Sequence, residues 1–173
     1  MARGEGMTGS EKNLPRKSDE ETAEICLEEE KLRQEKIEEV RRRWNDLVMG
    51  TYRHDVEKVE YTLGGFSFGI RSVTVTRDAD GAVVKYEPFQ NTGEETSEKR
   101  ISTSEWSALI DELFVKIRVH EWKDSYFASG IFDGTQWGIR ISMGSGMVMR
   151  FQGSNAFPEN WEEFRRVIDE IVK

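Results

Sequence analysis

The residues with acid-base capability are few. His120, Asp124 and Asp133 lie near one another in sequence, and a histidine beside a carboxylate can move a proton near neutral pH. They define one reading of the chain, a small enzyme with an acid-base site near His120, Asp124 and Asp133. The same residues also fit a plain polar surface beside a loop. Nucleophilic chemistry has less support. There is no Gly-x-Ser-x-Gly elbow, and the single cysteine, Cys26, sits in the charged stretch Ala23-Glu24-Ile25-Cys26-Leu27-Glu28, without the setting that activates a thiolate. His54 and His120 are far apart and form no His-x-x-x-His or Glu-x-x-His pair, so neither a zinc site nor any other metal or cofactor is expected. Asp78-Ala79-Asp80-Gly81 has alternating carboxylates and a glycine. It lacks both the third aspartate before the glycine and the correctly spaced downstream glutamate of a calcium loop, and reads as a hairpin turn. Gly64-Gly65-Phe66-Ser67-Phe68-Gly69 has no following Lys-Ser/Thr and runs into a strand, so it does not read as a phosphate loop.

Binding chemistry has more material. If Val115, Ile117 and Val119 form a half-buried strand, then Lys116, Arg118, His120 and Trp122 project to its other side, and Arg140 and Arg150 join them from a later hairpin. Such a face, basic with an aromatic, suits an acidic peptide, a glycan or a nucleobase. It also suits an ordinary solvated sheet surface. A further pocket could be lined by Trp137, Asn155 and Trp161. The acidic N-terminal helix, or an equivalent helix of a protein partner, is expected near the outer sheet face.

These positions depend on the elements that carry them. Residues 1–17 hold almost nothing to bury and are expected to be disordered. Ser18 or Asp19 caps a long charged helix over 18–48, supported by Glu-to-Arg pairs such as Glu29/Arg33 and Glu38/Arg42. Ile37, Val40, Trp44, Leu47 and Val48 make an apolar stripe expected to dock on the domain. A sustained heptad is absent, which favours a protruding helix over a coiled coil. Residues 49–173 should then form a single domain. Val59, Tyr61 and Leu63 alternate with polar neighbours, and strands over 66–77 and 82–89 flank Asp78–Gly81. Residues 90–100 and 123–134 read as loops. Ser102, Thr103 or Ser104 caps a helix burying Trp106, Leu109, Ile110 and Leu113. Trp137 to Met143 and Met147 to Phe151 form a hairpin about Gly144-Ser145-Gly146, and a last helix buries Trp161, Phe164, Val167, Ile168 and Ile171. The fold class is therefore α+β, an antiparallel sheet of about six strands with two amphipathic helices on one face, plus the long N-terminal helix. Gly69-Ile70-Arg71 and Gly138-Ile139-Arg140 each precede a hairpin and a Trp-led helix, which raises an internal duplication.

Composition narrows the classes. The net charge of -8 repels a phosphate backbone, so nucleic acid is not the expected partner. No apolar run reaches the length of a membrane span and the N-terminus has no apolar signal core, so neither membrane insertion nor export is expected and a cytoplasmic location is the default.

Asp133-Gly134-Thr135-Gln136-Trp137, followed by Gly153-Ser154-Asn155-Ala156-Phe157-Pro158-Glu159-Asn160-Trp161, resembles a motif pair in a group of uncharacterised bacterial proteins. The resemblance covers roughly residue 45 to the C-terminus and implies a bacterial source. It supplies no activity, cofactor or catalytic residue. With recognisable catalytic machinery missing, the leading expectation is a non-enzymatic binding or protein-interaction module.

Overall fold

The computed structural model describes residues 19–65, 69–90, 92–128, 130 and 134–173. The expected tail, Ser18, the start of the second expected strand at 66–68 and Asp133 lie outside them. The chain divides into two compact units, Met1–Arg42 and Arg43–Lys173. Helix α1 runs Asp19–Tyr52, followed by strands β1 (Val56–Gly65), β2 (Gly69–Asp78), β3 (Gly81–Glu87) and β4 (Ser97–Ser102). Helix α2 (Thr103–Asp111) leads through irregular turns to β5 (Ser125–Phe127), β6 (Gln136–Met143), β7 (Val148–Ser154) and helix α3 (Trp161–Val172). Among the described residues no helix is long and apolar enough to cross a membrane.

The architecture is α+β, with one seven-stranded sheet in the order β4-β3-β2-β1-β6-β7-β5. It is mixed, because β5 runs parallel to β7 while the other pairs are antiparallel. That corrects the expectation of a purely antiparallel, six-stranded sheet. The two unforeseen strands are the two edges. β4 buries only Ile101 and β5 is three residues long, so neither carries the alternation that announces a half-buried strand.

The expected strand over 115–119 is not a strand. After α2 the chain continues through a wide helical turn over Glu112–Lys116, closed by Ile117 N–H donating to Glu112 O at 2.9 Å. Leu109, Ile110, Leu113, Phe114 and Ile117 are buried at helical spacing, while Val115 is 52% exposed. The helical period wins because it buries five side chains where the alternating one buries three. Arg118 ends the helix in the left-handed region (φ 58°), held by Asp46 at 2.6 Å and Glu121 at 2.8 Å.

Alternate residues of the inner strands, among them Tyr61, Val73, Val84, Ile139, Ile141 and Phe151, form a single core with Trp106, Leu113, Trp161 and Phe164 from the helical side. Ser102 caps α2 and exchanges hydrogen bonds with Glu105, a reciprocal capping box. At the end of α1, Trp44 and Leu47 are 65% and 67% exposed, which overturns their expected burial. Among the described side chains, this end is fastened by polar contacts: Asp46 to Arg118 and, just beyond the helix, Arg53 to Asp111 at 3.0 Å.

The repeated Gly-Ile-Arg tripeptides occupy opposite phases of the pleat. Ile70 is exposed and Arg71 turns inward to Asp169, whereas Ile139 is buried and Arg140 exposed. A slip of one residue exchanges the two faces of a strand, so the match does not superimpose a duplicated unit.

Candidate functional site

The motif pair folds into one structural joint. Asn155, at φ 53°, accepts a hydrogen bond from Thr135 N–H on its Oδ1 at 2.8 Å and donates its own N–H to Thr135 O at 2.9 Å. Asparagine tolerates this left-handed backbone better than most residues. Trp137 is buried and its indole N–H donates to Ala156 O at 2.9 Å. The indole lies against Gly153, where a Cβ would overlap it. Trp161 meets Trp137 with ring centroids 4.6 Å apart. Asn160 receives the Trp122 indole N–H at 2.9 Å and donates to Ile117 O. Trp137 and Asn155 thus hold β6, β7 and α3 together; of the expected pocket trio Trp137, Asn155 and Trp161, only Trp137 also borders an open cleft on the sheet.

The expected basic face does not assemble as drawn, because its strand is helical. Trp122 packs into the core side, 5.5 Å from Phe164 and 6.0 Å from Phe151. Lys116 pairs with Glu112, and Arg118 with Asp46 and Glu121. His120 stacks on Phe114 at 6.0 Å, and both its ring nitrogens are buried without a hydrogen-bond partner among the described residues. It borders a small cavity of about 240 Å³ shared with Asp46, Gly50, Arg53 and Arg118. Asp124 is exposed and its backbone carbonyl receives Gln152 N–H; its carboxylate makes no hydrogen bond to either His120 nitrogen. Asp133 lies outside the described residues.

Burial, reinforced by the Arg118 charge, lowers the His120 pKa below its ordinary 6.5. The folded state therefore favours neutral imidazole, and the unfolded chain binds more protons in the window below about 6.5. Stability contributed at neutral pH should be lost as pH falls through that window and level off below the folded value. Urea unfolding at a series of pH values should show a slope that His120→Gln reduces. An unchanged slope would place the titration elsewhere.

Two expected residues do share a surface. Arg140 on β6 and Arg150 on β7 lie directly opposite each other on the sheet face turned away from the core. Like charges so placed repel, and of the two only Arg140 has a carboxylate partner among the described residues, Glu60 at 3.7 Å. One level along the same strands, Gly138 pairs with Thr62 and with Gln152. Here a cleft of about 630 Å³ opens, floored by Gly64 and Gly138 and bordered by Thr62, Gln136, Ile70 and Phe127. Ile70 and Phe127 are 62% and 67% exposed, large apolar side chains standing free on either side of a glycine floor. Gln136 is tied to the Ser154 hydroxyl at 2.7 Å.

No protein-family model matches the chain, and no curated protein matches it. The chemistry must come from the site itself.

Sequence reasoning missed Thr62, Gly138, Ile70, Gln152 and Phe127. A usable signal was Gly138, a glycine inside an alternating strand, which often marks close approach by another group. Phe127 gave none, because it fell in a segment without periodicity.

Proposed function

We propose that the chain is a non-enzymatic binding module, of bacterial origin as the motif pair implies, whose exposed sheet face recognises an extended segment of a protein partner. The observation that carries this reading is the glycine-floored cleft between exposed Ile70 and Phe127. A side chain at Gly138 would fill its floor, and every neighbouring strand offers short or neutral groups there. Thr62 and Gln152 supply hydrogen-bonding without charge, and Arg140 and Arg150 stand one level away along the strands. A partner with an apolar side chain for the cleft and a carboxylate for the arginines matches both. Exposed apolar side chains of this size on a polar sheet favour a ligand-facing role.

The acid-base alternative draws support from the unpartnered nitrogens of His120. Asp46, the one carboxylate bordering its cavity among the described residues, is already paired with Arg118, which leaves that histidine without the base partner such chemistry needs.

The test is equilibrium binding of full-length protein to peptide and glycan arrays, repeated with Phe127→Ala. Peptide binding should weaken about tenfold or more, with the melting temperature unchanged because Phe127 is mostly in solvent. Binding to glycans alone, or peptide binding indifferent to Phe127→Ala, would defeat the reading.

A further inference from the structure

Helix α1 carries a second unpartnered surface, and its pattern names its own occupant. In residues 19–42, Ile25, Leu32 and Val40 are exposed, Leu32 and Val40 at 54% and 68%. Ile25, Glu29, Leu32, Lys36 and Val40 follow one another at steps of four, three, four and four, which keeps all five on one face of a helix. Glu29, Leu32, Lys36 and Val40 also line a shallow groove along that surface.

The row is nearly self-complementary when reversed. A two-fold axis perpendicular to the helix, passing between residues 32 and 33, sets Ile25 against the second copy's Val40 and Glu29 against the second copy's Lys36. The two Leu32 side chains meet at the axis. An interface built on such an axis uses the same patch twice and closes on itself.

Charge selects the same direction. Residues 19–30 contain seven acidic and no basic residues, whereas residues 31–42 contain five basic and three acidic. Parallel pairing would oppose the acidic halves to each other; antiparallel pairing opposes acidic to basic and also aligns the helix dipoles favourably. The steps of the row suit a straight helix pair and need no sustained heptad.

We propose that residues 25–40 pair antiparallel with the same segment of a second copy of this chain. The pairing is independent of what the sheet face binds. Sedimentation equilibrium of the full-length protein should give a dimer mass in the micromolar range. Leu32→Glu, at an exposed position, should weaken association about tenfold or more. Glu29→Lys alone should weaken it as well, and the exchange Glu29→Lys with Lys36→Glu should restore it, because the two positions face each other only in the antiparallel register. A protein that stays monomeric at every concentration overturns the proposal, as does a dimer indifferent to Leu32→Glu. Equal behaviour of the single and double charge variants overturns the antiparallel register.

Discussion

Gly153→Ala should lower the free energy of unfolding by about 3 kcal/mol, at the upper end of what overpacking a close-fitted interior costs. The added methyl group would occupy the place of the Trp137 indole and would also press on Ala156 O. Trp137 cannot simply withdraw. Its N–H is bonded to that same carbonyl, and its ring lies among Trp122, Tyr126, Phe157 and Trp161. Moving it would disturb the joint that turns β7 into α3. Urea denaturation should show a lower midpoint with an unchanged slope, the sign of altered stability without an altered unfolded state. A loss under about 0.5 kcal/mol, the range of ordinary surface changes, would mean that the motif pair is not the structural joint described.

Phe164→Ala should cost about 4 kcal/mol, within the range for truncating a buried phenylalanine. Phe164 is completely buried on α3. Its ring lies 5.3 Å from Tyr61 on the central strand, 5.5 Å from Trp122 and 5.5 Å from Trp161. The cavity would therefore open between sheet and helix, where three large rings hold one another apart and cannot collapse inward. The same burial pushes the Tyr61 hydroxyl up to about 12. In the variant, water entry should bring that titration back towards its ordinary value, a spectroscopic change to follow beside the loss of stability. A cost near 1 kcal/mol with an unchanged Tyr61 titration would show that the aromatic cluster is loosely packed.

The inner strands and both domain helices were legible because one side of each is buried, and burial writes its period into the residue types. Trp137, Ile139, Ile141 and Met143 could hardly be read otherwise, and Ser102 with Glu105 marks the start of α2. The edges escaped for the opposite reason. Ser97–Ser102 and Ser125–Phe127 take their structure from a neighbouring strand's hydrogen bonds, which leave no apolar pattern. At 115–119 two periods overlapped, and the alternation of Val115, Ile117 and Val119 concealed a helical run reaching back to Leu109. The stripe at the end of α1 showed which side is apolar but not what covers it, so Trp44 and Leu47 were assigned a burial they do not have.

The site was less legible than the fold. Arg140 and Arg150 could be placed on one face from alternation alone, and Trp137 does border the cleft, whereas Asn155 proved to be structural and Arg118, His120 and Trp122 belong to the helical side. The cleft draws Thr62, Phe127, Gly138 and Gln152 from four different strands. Only the register of the sheet brings them together, and register is not written in any one segment.

We propose that recognition resides on the open sheet face and not at His120. Array binding of Phe127→Ala and His120→Gln beside the unaltered protein separates the two sites. Phe127→Ala should lose peptide binding while His120→Gln retains it. Loss with His120→Gln and retention with Phe127→Ala would move recognition to the histidine.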